Sequence, residues 1–452
     1  MATSADAVSF RRALPSEAGA VRGLIVRSMG HWDRPPGYLE AARELMSLSA
    51  EDLRRDDAWV VLVDGAVAGF YRLSRTAETA EIEEFHLEPP MIGRGIGRRM
   101  FEHASERGRA MGARWLVWST DANSLGFYLR MGGEVTGTTP SGLEADEPLV
   151  CMRLELGSRW VLLGAPWDCS GTGRGEALAP TALRAAGIGR LVGEDLGDCP
   201  IRIRGRDRDL ESGVLALADT IQAAEALTAA VEHGMHTRDG RLLVIGGDCS
   251  ILLGIIPAVR QALGQVGLWF VDGHPDFSDS HASSTGETAD LELACVTGDG
   301  PAILTGLGGR PPLVEPRDVV IIGHRTRNLD AESQAEVDRL PPAIHQFDAD
   351  AVLRDPAGTG TLAADALGHT RDAWLHIDLD VLDPASLAAV TYPLSGGPGW
   401  DELSAALQAI AASPSLRGVS VADFRPDLDP DGTLALRVVG LVETVLSAGA
   451  AD

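Results

Sequence analysis

Two stretches in the C-terminal half of the chain decide its fold: Trp269-Phe-Val-Asp-Gly-His-Pro-Asp276 and Trp374-Leu-His-Ile-Asp-Leu-Asp380. Each begins with an apolar run of strand length and ends in acidic residues. In a parallel sheet the carboxyl ends of the strands meet at one crevice. We therefore expect a parallel sheet that brings five polar side chains together at one edge: Asp272, His274, Asp276, Asp378 and Asp380.

Further apolar runs extend this sheet on both sides. Helical stretches, such as 213–234 and 401–412, separate them. From residue 159 onward this alternation of strand and helix is typical of an α/β fold with a parallel sheet. The predicted strands are Trp160–Leu163, Leu242–Ile245, Leu268–Val271, Val319–Ile322, Ala373–Ile377 and Gly418–Val421.

Four carboxylates in one crevice would repel one another strongly without a cation. The chain contains no lysine, and neither acidic stretch contains an arginine. A pair of divalent metal ions is the simplest compensating charge. The alternative is that each acid caps a helix or lies in a solvated loop. That alternative suits any single aspartate, but it accounts poorly for D-x-H-x-D and D-x-D that both end apolar strands.

The N-terminal third mixes strands with amphipathic helices. Trp59–Val63 and Ala66–Leu73 predict a hairpin, and Glu81–Leu87 predicts a further strand. The run Gly93-Arg-Gly-Ile-Gly97 then opens a predicted helix over 97–111. Glycines let a backbone approach a ligand closely, and free N–H groups at a helix start bind phosphate. We place the domain boundary at Gly157-Ser158, which gives domains 1–157 and 158–452.

Composition excludes several classes of partner. There are 39 basic residues against 65 acidic ones, for a net charge of −26. A chain this acidic is not expected to bind nucleic acid or an anionic membrane surface. The five cysteines are widely spaced and form no CxxC pair, so no disulfide framework is expected. No apolar run is long enough for a membrane span or a signal peptide, so we expect a cytoplasmic protein.

The stretch from Glu81 to Met100, followed by Asp121-Ala-Asn-Ser-Leu-Gly-Phe-Tyr-Leu-Arg-Met-Gly-Gly133, resembles the two signatures of the GNAT acyltransferase family. The resemblance covers about residues 6–156 and implies an N-terminal GNAT α+β domain that binds acetyl-CoA or another acyl-CoA. The cofactor-binding residues that it implies are Gly93, Arg94, Gly95, Ile96, Gly97 and Asn123.

The same resemblance implies catalytic roles for three residues. Glu83 or Glu84 would act as a general base toward an amine, directly or through water, and Tyr128 would protonate the leaving thiolate. Successive residues of a strand face opposite sides of the sheet. Only one of the two glutamates is therefore expected to point into the site.

From about residue 159 to the end, the acidic stretches resemble those of the ureohydrolase superfamily, which includes arginase, agmatinase and formimidoylglutamase. Gly164-Ala-Pro-Trp-Asp-Cys-Ser-Gly-Thr-Gly-Arg-Gly175 and Ala179-Pro-Thr-Ala-Leu-Arg184 are similar to the first strand, loop and helix of that superfamily. The resemblance implies an arginase-like α/β domain. It also implies two divalent metal ions, usually Mn²⁺, and hydrolysis of a guanidinium or amidine carbon.

Carried over residue by residue, the resemblance assigns each acid of the crevice. Asp272 and Asp378 would bridge the two ions, and Asp276 would complete one site. His274 and Asp380 would complete the other site.

The chain departs from the superfamily pattern at three places. The usual Gly-Gly-Asp-His is Gly-Gly-Asp-Cys249 here. As a ligand, this thiolate would favour Zn²⁺ or Fe²⁺ over Mn²⁺, whereas the alternative is a lost ligand and a small buried residue. Asp423 replaces the glutamate with which arginases bind substrate. His281 is displaced from the place of the arginase shuttle histidine. Candidate substrate-loop residues are Asp168, Cys169 and Glu287, although solvated loop positions would explain them equally well.

Three functions follow as hypotheses. The first is a bifunctional enzyme, a CoA-dependent N-acyltransferase joined to a metal-dependent hydrolase of a guanidino compound. The cysteine at position 249 is similar to that of a relative that hydrolyses hydroxyarginine. This similarity favours an N-substituted guanidine as the substrate, for example an N-hydroxylated one. The second is an acyltransferase with a degenerate, non-hydrolytic second half. The third is a non-catalytic sensor of acyl-CoA and a guanidino ligand. The ureohydrolase resemblance also implies a homo-oligomer.

Overall fold

The computed structural model describes residues 8–32, 34–45, 48–76, 79–141, 148–156, 160–237 and 241–448. Within these ranges the chain divides into two compact units, one before residue 157 and one after residue 159. The boundary predicted at Gly157-Ser158 lies outside the described residues. Each unit has a sheet of its own, with seven described strands in the first and eight in the second.

The first unit combines a mostly antiparallel sheet with helices. Its described strands are β1 (Val8–Arg12), β2 (Asp57–Val63), β3 (Ala66–Thr76), β4 (Thr79–Leu87), β5 (Trp115–Thr120), β6 (Glu134–Thr139) and β7 (Leu149–Glu155). Its described helices are α1 (Ala18–Met29), α2 (Tyr38–Leu45), α3 (Asp52–Arg55), α4 (Ile96–Ala110) and α5 (Ala122–Arg130).

The two central strands of this unit separate at their carboxyl ends. The strand order is β1-β2-β3-β4-β5-β7-β6, and only β4 and β5 run parallel. Their pairing extends from Thr79 to Glu81 on β4, although β4 continues to Leu87 and β5 to Thr120. The ends of β4 and β5 therefore leave a break in the ladder, where an extended ligand can enter the sheet.

Local sequence accounts for the elements around this break. Asp64 and Gly65 both have positive φ, 50° and 82°, as a two-residue type I′ hairpin turn requires. The helix predicted over 97–111 is confirmed as α4. It buries Met100, Phe101 and Ala104 against the sheet, which fixes the start of the helix beside the end of β4.

The second unit alternates strands and helices, as predicted. Its described strands are β8 (Trp160–Ala165), β9 (Glu194–Asp198), β10 (Arg241–Gly246), β11 (Gly267–Val271), β12 (Val319–Ile322), β13 (His345–Phe347), β14 (Ala373–Asp378) and β15 (Leu416–Ala422). Its described helices are α6 (Ala179–Ala185), α7 (Leu217–Met235), α8 (Leu252–Leu263), α9 (Glu292–Val296), α10 (Ala302–Thr305), α11 (Ala331–Arg339), α12 (Ala349–Arg354), α13 (Pro356–Ala366), α14 (Trp400–Ala411) and α15 (Thr433–Ala448). None of the helices in the described ranges of either unit is long and apolar enough to cross a membrane.

All neighbours in the second sheet are parallel, in the order β13-β12-β11-β14-β15-β10-β8-β9. The central strands β11 and β14 are adjacent, and Val271 pairs with Ile377. Asp272 and Asp378 follow directly, so the register places two acidic residues side by side at the carboxyl edge. This is the convergence that the sequence predicted.

Both faces of the second sheet are buried, which explains its continuous apolar strands. On β10, Leu243 and Ile245 belong to one hydrophobic cluster, whereas Leu242 and Val244 belong to the other. The edge strands β9 and β13 are not predicted from the pattern, because the first is largely acidic and the second has three residues.

Candidate active sites

The first acidic loop follows β11. Asp272 is buried, and its Oδ1 accepts a hydrogen bond from the N–H of His274 at 2.7 Å. Asp276 is buried with a φ of +46°, a conformation uncommon for a residue with a side chain. One ligand atom from each of Asp272, His274 and Asp276 lies within 4.8 Å of the others. The loop thus assembles the predicted D-x-H-x-D group.

The second acidic loop follows β14 and is joined to the first by Asp380. Asp378 accepts the N–H of Asp380 at 2.9 Å. The Oδ1 atom of Asp380 accepts the N–H of Gly273 at 3.0 Å, and its Oδ2 atom lies 2.8 Å from Nδ1 of His274. One aspartate therefore holds both loops in a fixed relation.

Burial and repulsion raise the pKa values of three of these carboxyl groups. Burial raises the pKa of Asp272 most, followed by the charges of Asp276 and Asp380. Burial also raises the pKa of Asp378, with further contributions from Asp380 and Asp272. The pKa of Asp276 is raised by burial and then by Glu292. The cluster therefore needs added positive charge for its carboxylates to be ionised together at neutral pH.

Asp380 has more positive surroundings than the other acids. Burial raises its pKa, but the His274 imidazole beside it lowers that pKa below the ordinary value overall. The loop after β12 also brings in Arg325, whose buried guanidinium donates to the carbonyl oxygens of Gly323 and Val381, each at 2.9 Å. Neither acidic stretch contains an arginine, so only the fold supplies this cation. Its single charge cannot balance the whole cluster.

The arrangement fits a pair of divalent metal ions. The Oδ2 atom of Asp272 is buried and has no hydrogen-bond partner among the described residues. Single ligand atoms of Asp378, Asp380 and Asp423 lie within 4.8 Å of one another, as do those of the first acidic loop. Carboxylate oxygens with one imidazole suit Mn²⁺ and similar divalent ions. The five predicted ligands of the crevice are thus brought together, and their metal-binding role remains a prediction.

Cys249 reaches the same cluster from β10. It begins a 3-10 turn that is separated from that strand by Gly247 and Asp248, and its thiol donates to the carbonyl oxygen of Ala289 at 3.3 Å. Its Sγ atom lies within 4.8 Å of a carboxylate oxygen of Asp276 and one of Glu292. Burial, and then the charge of Glu292, raise the pKa of this thiol. Cys249 therefore lies beside the acids of the cluster, and its thiol keeps its proton unless a cation displaces it.

Asp423 also lies at the cluster. It follows β15 with a φ of +58°, and its two oxygens accept the N–H of Thr391 at 3.0 and 3.3 Å. A cavity of about 370 Å³ opens onto Asp423 and three acids of the crevice, Asp276, Asp378 and Asp380. A substrate in this cavity would meet Asp423 and the metal-binding acids together.

The loop after β8 shapes another wall of the cavity. The carboxylate of Asp168 stabilises this loop, because it accepts hydrogen bonds from the N–H groups of Ser170 and Gly173 at 3.1 and 2.6 Å. Arg174 lines the cavity and donates to both carboxylate oxygens of Glu287, at 3.2 and 2.8 Å.

Two other predicted loop residues differ in position. The thiol of Cys169 donates to Oε2 of Glu287 at 3.7 Å, so it supports the loop that carries Arg174. His281 is exposed, and it does not belong to the described residues that line the cavity. In this position His281 does not reach the cavity, so it is not placed to act as a proton shuttle there.

In the first unit, the two candidate bases lie on a β-bulge of β4. Arg72 of β3 pairs with Glu84, whereas the next residue of β3 pairs with Ile82, so Glu83 is the extra residue. Glu83 accepts the hydroxyl of Ser74 at 2.7 Å and lies 3.9 Å from Arg72. The expectation that Glu83 and Glu84 face opposite sides is wrong, because the bulge interrupts the alternation.

Glu84 has its own partner on that face. Its Oε2 atom lies 2.9 Å from Nε2 of His86, two residues along the strand. The face therefore presents two carboxylates and an imidazole close to the break between β4 and β5.

The glycine loop leads from β4 into α4. Gly93 and Gly95 have φ values of +83° and +81°, and Gly95 is the residue that caps the helix. A side chain at either would meet open space, so the backbone conformation is what requires glycine there. Ile96 is buried, so only its backbone N–H is available to a ligand. Arg94 donates to Sδ of Met91 at 3.4 Å.

The remaining predicted residues of this unit lie on α5. Tyr128 is buried among aromatic rings, with its ring centroid 6.0 Å from that of Phe85 on β4 and 5.0 Å from that of Trp118 on β5. The ring of Tyr128 therefore packs against both β4 and β5, beyond the point where the pairing of these two strands ends. Burial raises the pKa of Tyr128, so its phenol keeps its proton at neutral pH. Asn123 is exposed in the first turn of α5.

Comparisons with known proteins relate each unit to a family. Residues 158–447 match the model of the Arginase family, and residues 26–133 match that of the Acetyltransferase (GNAT) family. The chain belongs to the arginase family. It also carries a GNAT domain ahead of the arginase-family unit.

Individual relatives match the arginase-family unit. The arginase of Bacillus caldovelox is 30% identical over 300 residues, which cover 62% of this chain and 95% of that protein. The arginase of Brevibacillus brevis is 30% identical over 298 residues, with 63% and 96% covered. The solved structure of the Bacillus caldovelox enzyme has a TM-score of 0.58 and 28% identity, and the match covers 64% of this chain and 97% of that one.

The arginase-family unit also holds two buried residues that the sequence analysis missed. His376 stands two residues before Asp378 on β14, so strand alternation could have placed it on the same face. Its Nδ1 atom lies 2.8 Å from the hydroxyl of Ser420, and its buried Nε2 atom has no hydrogen-bond partner among the described residues. One of its nitrogens lies within 4.8 Å of carboxylate oxygens of Asp272 and Asp378. Glu292 is the second of these residues, and no pattern in the sequence indicates that it lies near the acids of the crevice.

A metal-content measurement tests the cluster. Asp272→Asn removes the charge of an acid that would bridge two ions, so we expect the variant to lose about two bound ions per chain. Elemental analysis after Mn²⁺ loading and gel filtration gives the number.

The matched control is Asp330→Asn, at a cavity-lining residue whose carboxylate caps α11. Asparagine caps a helix as well as aspartate does, so metal content should not change. Full metal content in Asp272→Asn would contradict the assignment.

The glycine loop is tested by CoA binding. Gly95→Glu strains a residue at φ +81° and adds negative charge where a pyrophosphate would lie, so we expect binding to be lost in calorimetry. Gly65→Glu is the control, because Gly65 has φ +82°, open space around it and a place in the β2–β3 turn. Equal loss in both variants would show an effect of folding rather than of binding.

Proposed function

We propose that the chain is a bifunctional enzyme, a CoA-dependent N-acyltransferase and a dinuclear metal hydrolase of a guanidino compound. The observation that carries the hydrolase proposal is the buried carboxylate cluster open to the cavity, with Asp272 Oδ2 unpartnered among the described residues. The acyltransferase proposal rests on the break between β4 and β5, next to the glycine loop.

In the hydrolase, the residues of this chain would bind and orient the substrate. Asp423 lines the cavity as a carboxylate, and it would accept charge-assisted hydrogen bonds from a guanidinium. Its pKa is raised by burial, and then by the charge of Asp380, so a bound cation would favour its ionised form. Two divalent ions held by the acids of the crevice would polarise the guanidinium carbon and lower the pKa of water. Water would add to the guanidinium carbon and the C–N bond to the amine would break, so that the amine is released together with urea or a substituted urea.

The residue at position 249 bears on which guanidine is hydrolysed. A thiolate ligand is charged and soft, so the ion beside it would be a weaker Lewis acid than one held by a neutral histidine. A substrate whose guanidine carbon is made more electrophilic by an electron-withdrawing N-substituent would suit this ion. We therefore propose an N-substituted guanidine, such as an N-hydroxyguanidine, with Mn²⁺, Zn²⁺ or Fe²⁺ as the metal.

In the acyltransferase, the break between β4 and β5 would receive the acyl-CoA. Amides of the loop from Gly93 to Gly97 would bind the pyrophosphate. Glu83 or Glu84 would accept the proton of the attacking amine, and the protonated phenol of Tyr128 would supply a proton to the leaving thiolate. The acyl group passes to the amine, and the free thiol of CoA is released.

The hydrolase proposal is tested with a panel of plain and N-hydroxylated guanidines, with urea and hydroxyurea as the measured products. We expect metal-dependent turnover that is faster for the substituted members and is lost with a chelator. Cys249→His should shift the preference toward Mn²⁺ and toward plain guanidines, because the new ligand is neutral. If Cys249→Ser leaves metal content and metal-dependent turnover unchanged, the ligand role of the thiol is withdrawn. No turnover across the panel would favour the non-hydrolytic alternative.

The acid role of Tyr128 is tested by Tyr128→Phe. This change keeps the ring in its aromatic cluster and removes the proton donor, so kcat for acyl transfer should fall about 100-fold or more while the Kd for CoA is retained. Stopped assays of CoA release and calorimetry give the two quantities. An unchanged kcat would mean that the thiolate leaves without help from this phenol.

A further inference from the structure

Glu292 is a buried acid that the metal-binding pattern of the sequence does not include. It is the first residue of α9, and its exposed fraction is 0%. Neither Oε1 nor Oε2 has an N–H or hydroxyl donor among the residues that the structure describes, and the carboxyl group lies against that of Asp276. A carboxylate without compensation is costly to bury, so a side chain in this position is expected to meet a cation or to keep a proton.

The surroundings of Glu292 are those of a metal ligand. A carboxylate oxygen of Glu292, the Sγ atom of Cys249 and a carboxylate oxygen of Asp276 all lie within 4.8 Å of one another. These three residues reach one point from separate places in the fold, namely the turn after β10, the loop after β11 and the start of α9. A tetrahedral or octahedral ion brings its donors to such mutual distances.

We propose that Glu292 is a ligand of the ion on the Cys249 side of the centre, together with Cys249 and Asp276. This inference rests on the proposed dinuclear centre and adds a ligand to it. Replacing histidine by cysteine removes a nitrogen donor from that ion, and Glu292 supplies an oxygen donor in its place. The carboxylates of Glu292 and Asp276 would allow this side to bind an ion even while the Cys249 thiol stays protonated.

The competing explanation is that Glu292 keeps a proton and donates it to Asp276. Glu292→Gln separates the two, because an amide reproduces a neutral carboxyl donor but not an anionic ligand. After removal of metal by a chelator, the full-length protein is loaded with Mn²⁺ or Zn²⁺ and dialysed, and bound metal is counted. We expect the wild type to hold about two ions per chain and the variant about one, with the weaker ion bound at least 10-fold less tightly.

Thermal unfolding provides a readout that is independent of activity. Added metal should raise the Tm of the wild type more than that of Glu292→Gln, because only one of two sites would remain to be stabilised by binding. Glu336→Gln is the matched control. Glu336 lines the same cavity and accepts the hydroxyl of Ser278 at 2.6 Å, an interaction that glutamine can keep. Its metal content and Tm shift should equal those of the wild type.

The outcomes separate this inference from the proposed function. A wild type that binds no divalent metal would overturn both. A wild type with about two ions and a Glu292→Gln variant with the same content and affinity would overturn the inference alone. If the variant does not fold, anomalous diffraction from metal-loaded wild-type crystals decides the matter. An oxygen of Glu292 at about 2.0–2.2 Å from an ion supports the inference, and a longer distance refutes it.

Discussion

The adjacent parallel strands β11 and β14 place Asp272 and Asp378 side by side, and both side chains are buried. Repulsion among the carboxylates at this place constrains the rest of the second unit. Packing on both sheet faces excludes water from the cluster, so each acid raises the pKa of its neighbours. The imidazole of His274, beside Asp380, and the buried guanidinium of Arg325 reduce this repulsion in part. The negative charge of the carboxylates that remains unbalanced would be neutralised by bound divalent metal ions.

The GNAT domain and the arginase-family unit use a parallel strand pair in different ways. In the first, β4 and β5 separate after three paired residues, and the break in the ladder faces the start of α4. In the second, β11 and β14 stay paired to their ends, and the loops that follow them carry the chemistry. A ligand that extends into a sheet needs unpaired backbone, whereas a metal centre needs side chains held at fixed distances.

The candidate metal ligands around the crevice are more than the usual superfamily set with one histidine lost. Cys249 brings a thiol, and Glu292 and His376 bring buried polar atoms without hydrogen-bond partners among the described residues. Burial lowers the pKa of His376 to about 3, so its imidazole is neutral and a ring nitrogen is available as a lone-pair donor or as an N–H donor. These three buried groups would contribute to both the charge of a metal centre there and its softness toward metals.

The sequence by itself determined the two-domain organisation, the parallel sheet and the acids of the crevice, because strand periodicity and the position of a residue at a strand end are local properties. It also located the glycine loop and the helix after it. Only the tertiary structure decided the rest. The bulge that places Glu83 and Glu84 on one face depends on pairing with β3, which no single strand specifies. Glu292 reaches the centre from the start of α9 and Arg325 from the loop after β12, and such proximity arises from packing rather than from any periodic pattern along the chain.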